Sequence, residues 1–206
     1  MHPNPAFHTA EAAENRAFAR DRGFGILAVG EDGAAPLLSH VPFLLSDDGT
    51  QVDLHLVRSN PIARALRSGP RPARIAVSGP DSYVSPDWYG LDDQVPTWNY
   101  IAVHITGALS LLPDDQLHDM LTRQSSAYEE RLAPKPPWTL DKMTPEALEK
   151  LKRMILPARL QISQVNGTWK LNQNKPEDAR LSAADHMDAY GFGTDPQLLA
   201  ALMRGA

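Results

Sequence analysis

The sequence predicts an α+β fold, an antiparallel sheet or barrel with helices kept to its periphery. Three observations lead there. Strand-like segments crowd the first half, separated by turn-rich breaks. The longer helical patterns form a block before the last strands and a tail after them. The regular strand–helix–strand alternation of a doubly wound parallel sheet is missing.

The elements follow in order. "TAEAAENRAFARDRG" reads as a helix, with Thr9 as its cap, Phe18 on its apolar side and Gly23 as its stop. "GFGILAVG", "APLLSHVPFLL" and "TQVDLHLV" read as a meander of strands, broken at Gly30–Gly33 and Ser46–Gly49. "NPIARALRSG" is a short helix and "ARIAVSG" a further strand. "PDSYVSPDWYGLDD" is rich in Pro, Gly and Asp, which predicts a loop carrying two exposed aromatics. "WNYIAVHITGALSLL" is a long strand. Two helices follow, "DDQLHDMLTRQSSAYEERL" and "TPEALEKLKRMIL", divided by "APKPPW". "ARLQISQVNGTWKLNQ" predicts a hairpin turning at Asn166-Gly167, because Asn-Gly between alternating strands suits a tight turn. The expectation is one domain over 1–206, with a helical insertion at about 113–156 and a helical tail at about 185–204, interrupted by "YGFGTDP".

Composition narrows the function. The 206 residues suffice for a substantial core. A net charge of −5 gives no global attraction to nucleic acid or anionic lipid. Cysteine is absent, which removes disulfides, thiolate chemistry and zinc–thiolate sites. The N-terminus lacks the pattern of a signal peptide, and no apolar run reaches the roughly 20 residues of a spanning helix. A soluble, cytoplasmic protein is expected.

Three stretches carry chemistry. In "VRSNPIARALRSG", Arg58 ends a strand, Ser59 or Asn60 caps the next helix and Pro61 suits its first position. The free N–H groups of that turn and a forked guanidinium favour an anion, against the plainer reading of a capped helix. In "KLNQNK", Lys170, Asn172 and Asn174 share one strand face and Trp169, Leu171 and Gln173 the other. These donors, with Lys175, suit a phosphate or the carbonyl edge of a ring, or else form a solvated strand end. In "VPTWNYIAVHITG", Thr97 and Asn99 share a face with Ile101, and Trp98 and Tyr100 share the other. The mixture suits a flat heteroaromatic ligand or a strand whose polar groups find backbone partners.

Other motifs carry little. "GFGILA" has the spacing of a dinucleotide fingerprint but follows a helix and opens a strand, the reverse of what that motif requires. The seven histidines are scattered and show no metal-ligand spacing. No hydrolase elbow or P-loop is present. "EALEKLKRM" alternates its charges as a solvated helix face does, and no helix-turn-helix is readable.

Together "HPNPAF", "SHVPFLL", "HLVRSNP", "YVSPDWY", "VPTWNYIAVHITG" and "KLNQNK" resemble, in order, the PaiB-type family of FMN-binding negative transcriptional regulators. The resemblance spans Met1 to about Lys175. The family often carries Tyr at His2, Ala at Ser59 and Ser at Asn172. The resemblance implies an FMN-binding split β-barrel acting as a homodimer, with flavin near the subunit interface. Its FMN contacts would come from Arg58, Ser59, Asn60, Thr97, Trp98, Asn99, Tyr100, Lys170, Gln173, Asn174 and Lys175. It implies repression of transcription, directly or with a DNA or transcription-factor partner. Two alternatives stand beside it: an FMN-dependent oxidoreductase of unknown substrate, and a haem-handling barrel ligated through His40, His55 or His104. No catalytic residue is named by the sequence.

Overall fold

Six strands close an antiparallel barrel in the order β1-β2-β3-β6-β5-β4. The structure is a computed structural model that describes residues 2–31 and 33–206, so Asp32 of the expected Gly30–Gly33 break lies outside the described residues. The strands are β1 (Phe24–Val29), β2 (Leu37–Leu45), β3 (Gln51–Val57), β4 (Arg71–Val84), β5 (Thr97–Leu111) and β6 (Ile155–Lys170). The helices are α1 (Ala12–Arg22), α2 (Pro61–Ala65), α3 (Leu117–Glu129), α4 (Pro145–Lys152), α5 (Glu177–Tyr190) and α6 (Pro196–Arg204).

The chain divides into two compact units. One comprises residues 19–76 and 105–165 and holds β1, β2, β3, residues 71–76 of β4, 105–111 of β5 and 155–165 of β6. Its registers follow from alternation: Phe43 pairs with Leu54, Leu27 with Ile75 and Leu54 with Ala158, and all five side chains are buried. Helix α3 is anchored by polar side chains. Arg123 donates to buried Asp53 at 2.8 Å, and Arg159 donates to the same carboxylate at 2.6 and 2.9 Å. The Tyr128 hydroxyl lies 2.5 Å from the Gly23 carbonyl and 2.7 Å from that of Phe43. Gly23 ends α1 in the left-handed conformation (φ +58°), as its position in the sequence predicts.

The other unit comprises residues 1–18, 77–104 and 166–206. Its core sets Ala179, Ala183, Ala184 and Met187 of α5 against Leu199, Ala200 and Met203 of α6, with Val84, Tyr89, Ile101 and Leu171. Small side chains on α5 allow the helices to approach closely.

Four expectations are corrected. Helix α1 begins at Ala12 and its first carbonyl bond is Glu11 O accepting from Asn15 N, so Thr9 lies outside the cap. The "PDSYV" segment is strand: β4 continues through Pro80 to Val84, and a 3-10 turn at Pro86–Tyr89 follows with Tyr89 buried. There is no hairpin at Asn166-Gly167. Strand β6 runs straight through both residues, because Gly167 serves a close approach: a Cβ there would stand 1.8 Å from Asn15 Oδ1. The C-terminal helices begin at Glu177, earlier than the expected 185, since a run with Ala179, Ala183 and Ala184 hides its apolar face among small residues.

Candidate functional site

The anticipated residues fall into both units. Arg58, Ser59 and Asn60 belong to the barrel unit, where β3 ends and α2 begins. Asn60 is the helix cap: its Oδ1 accepts from Ile62 N at 2.9 Å and its Nδ2 donates to Ser39 Oγ at 3.1 Å. Arg58 is fixed by two donations, Nε to the Arg153 carbonyl at 2.7 Å and Nη2 to Asp114 Oδ2 at 2.8 Å. Nη1 has no partner among the described residues. Ser59 beside it is exposed, and its hydroxyl makes no hydrogen bond within the described structure. The guanidinium is thus held in place with one edge open next to a free hydroxyl.

The "TWNY" strand splits by face. Asn99, Ile101 and Val103 are buried, while Trp98 is half-exposed. Asn99 sits within its unit's core; its Nδ2 donates to Met203 Sδ at 3.3 Å, and its buried Oδ1 has no partner. Trp98 meets Phe192 edge-on at 5.7 Å, and Phe192 stacks on Tyr83 at 5.5 Å. Tyr100 shares the Trp98 side and is partly buried.

The "KLNQNK" segment is divided as its alternation predicts, even beyond the strand end at Lys170. Lys170, Asn172 and Asn174 line one cavity, together with Lys175; Trp169, Leu171 and Gln173 line another. Gln173 is fully engaged, accepting from Leu171 N and donating to the Trp169 carbonyl.

The lysine cavity measures about 210 Å³. Lys170 Nζ donates to Thr97 Oγ1 and stands 5.9 Å from the Phe7 ring centroid. Lys175 Nζ donates to Gln94 Oε1 and stands 5.1 Å from the Tyr89 ring centroid. Neither ammonium has a carboxylate partner among the described residues. Burial, then the neighbouring charge of Lys175, holds the Lys170 ammonium below its ordinary pKa. Asn172 adopts φ +61° and is 2% exposed. Its Oδ1 accepts from the Tyr89 hydroxyl at 3.3 Å, and its buried Nδ2 has no partner. Such an unmatched donor costs about 1–3 kcal/mol. Burial keeps the Tyr89 phenol neutral by raising its pKa, so it remains a donor.

Phe7 and Tyr89 were not anticipated as cavity walls. Their signal was faint: each lies in a short motif with proline, "NPAF" and "SPDWY", and the second falls in a stretch that the sequence places in a loop. The candidate haem ligands divide between the two units. His40 and His55 lie in the barrel unit and His104 in the other. His55 is hydrogen-bonded to Gln124 at 3.1 Å and His40 stacks on Phe24. No group of three or more metal-ligating side chains occurs among the described residues. Among them, too, no helix is long and apolar enough to cross a membrane.

Comparison with known proteins shows the family and the fold. Residues 1–164 match the model of a family described as "Putative FMN-binding domain". The chain is 30% identical over 183 residues to protease synthase and sporulation protein PAI 2 of Bacillus subtilis, covering 88% of this chain and 86% of that protein. It is 26% identical over 223 residues to an uncharacterized protein of Aspergillus fumigatus, covering 84% and 85% respectively. Among solved structures, an FAD and heme binding protein from Mycobacterium smegmatis superposes with a TM-score of 0.58 at 17% identity, covering 90% of this chain and 81% of that one. A conserved hypothetical protein from Mycobacterium tuberculosis gives 0.59 at 14% identity, covering 85% and 94%. These two share the barrel fold.

Proposed function

The chain belongs to this FMN-binding family, with FMN as its cofactor, and from that premise we propose that it is a flavin-binding regulator that holds the FMN phosphate at Arg58 and Ser59. The observation that carries the reading is the Arg58 guanidinium. Two of its donors are spent on Asp114 and the Arg153 carbonyl, which orient the third. A donor fixed in advance loses little freedom when a phosphate arrives, and the Ser59 hydroxyl adds a second contact. Asn60 keeps α2 in register behind them. Bound FMN supplies one- and two-electron redox chemistry; the residues of this chain bind and orient it.

Regulation of transcription is supported by the likeness to PAI 2, whose name ties that protein to protease synthesis and sporulation. The net charge of −5 favours action through a protein partner, since phosphate contacts dominate direct DNA binding. The regulator acts as a homodimer in this reading.

The test is an absorbance spectrum of the purified protein, then titration with FMN and with riboflavin. FMN is expected to bind at least tenfold more tightly. Arg58→Ala should remove that preference, because one charge-assisted contact is worth about 1.5–3 kcal/mol. Equal affinity for the two flavins would refute the phosphate grip. A gel shift on the protein's own promoter that weakens with salt would replace the partner by direct DNA binding. Flavin-dependent turnover of a reduced nicotinamide would replace regulation by an oxidoreductase activity.

A further inference from the structure

One flavin carries one phosphate, yet the chain builds two cationic sets. We propose that the cavity between Lys170 and Lys175 is a second anion site, taking a small carboxylate or phosphate compound other than the flavin. This inference rests on the reading that the FMN phosphate is held at Arg58.

Three features make the cavity a built site. Its two ammonium groups are positioned by neutral partners, Thr97 and Gln94, so their charge is oriented but not neutralised. Asn172 lines the same cavity, nearly inaccessible, with its amide Nδ2 unpartnered. Its carbonyl end is pinned by Tyr89, which fixes the amide so that Nδ2 is the end left to donate. Two cations and an amide donor with no acceptor among them call for an oxyanion. Burial already disfavours the charge on Lys170, and an anion would relieve both that and the repulsion from Lys175.

Size limits the class. A cavity of about 210 Å³ lies below the usual range for a cofactor, roughly 300–1,000 Å³. It admits a phosphate, or a carboxylate on a short or flat body, with the rings of Phe7 and Tyr89 as walls.

The experiment uses the whole 206-residue chain saturated with FMN. Inorganic phosphate, acetate and benzoate are titrated separately by calorimetry at constant ionic strength, with chloride as control. Saturable one-site binding of phosphate, or of either carboxylate, is expected, with chloride silent; the arm that responds identifies the source. Lys170→Met and Lys175→Met keep the aliphatic stems and should each weaken that binding at least tenfold, with FMN affinity unchanged. Asn172→Ala should weaken it less. An unchanged circular dichroism spectrum and urea midpoint certify that each variant is folded, so FMN affinity is read independently of folding. Absence of saturable heat from all three anions, or variants that bind as wild type does, would overturn the proposal. So would binding seen only without FMN, with Lys170→Met abolishing the preference for FMN over riboflavin. That last result moves the flavin phosphate into the lysine cavity and sinks the Arg58 reading as well. If Arg58→Ala leaves FMN binding intact while the FMN-loaded protein still takes the anion, only the Arg58 reading fails.

Discussion

Replacing Gly167 by alanine tests the packing behind the "TWK" segment. The new Cβ would fall 1.8 Å from Asn15 Oδ1 and 2.6 Å from its Cγ, far inside contact distance. Asn15 is 5% exposed and doubly tied: its Oδ1 accepts from Trp169 Nε1 at 2.9 Å, and its Nδ2 donates to the Ala10 carbonyl at 3.2 Å. The methyl therefore evicts the amide. Two hydrogen bonds are lost at about 1 kcal/mol each, and the half-buried indole N–H is left without its acceptor. The expected cost is about 2–4 kcal/mol. With a urea m-value of roughly 2–3 kcal/mol/M, the midpoint should fall by about 1 M. The Asn15→Ala background supplies the control. There the methyl enters vacated space, so the same glycine substitution should cost less than about 1 kcal/mol, a coupling typical of contacting residues. Equal cost in both backgrounds would refute the argument, because the obstacle would then be something other than the Asn15 side chain. A midpoint unchanged by Gly167→Ala alone would refute it too.

Three further outcomes are expected. Asp114→Asn keeps an acceptor for Arg58 but removes its counter-charge; FMN should bind about two- to fivefold more tightly at low salt, the scale of an exposed ion pair, with riboflavin unaffected, as read by fluorescence titration. Asp53 is pushed up by burial, but hydrogen bonds from Arg159 and Arg123 outweigh that and hold its carboxyl below its ordinary value. Its stabilisation should be complete above about pH 4 and lost as pH falls toward the depressed value. Urea midpoints between pH 3 and 7 should show a larger loss in wild type than in Asp53→Asn, where Asp48, Glu129 and Glu149, also held below their ordinary values, still titrate. Tyr128→Phe strips the hydroxyl from the Gly23 and Phe43 carbonyls and should cost about 1–2 kcal/mol in a urea melt, with FMN affinity preserved.

The barrel was legible where alternation is strict. "FGILAV", "LLSHVPFLL" and "QVDLHLV" bury alternate residues much as their patterns predict, and "KLNQNK" sends its two faces to two cavities. Local rules failed where a distant neighbour set the backbone. Asn-Gly is a turn signal only if nothing needs the missing side chain; at 166–167 Asn15 needs it, from more than 150 residues away. Proline at position 80 likewise did not stop β4. The same limit applies to the sites. Arg58, Lys170 and Lys175 announce their chemistry by residue type. That Asp114 shares Arg58, that Tyr89 pins Asn172 and that Asn99 turns inward to Met203 depend on folding, which no local pattern encodes.

The division into two units has a practical corollary for anyone wishing to cut the protein apart. The chain passes from one unit to the other four times, between residues 18 and 19, 76 and 77, 104 and 105, and 165 and 166. Every passage falls inside a regular element: α1, β4, β5 and β6 in turn. A domain boundary normally lies in an exposed linker where a gene can be split or a protease can enter. Here each such cut would sever a helix or strand in mid-course. Neither unit is a contiguous segment, so neither can be expressed, swapped or inherited by itself; the cationic sets at Arg58 and at Lys170 come from one gene or not at all.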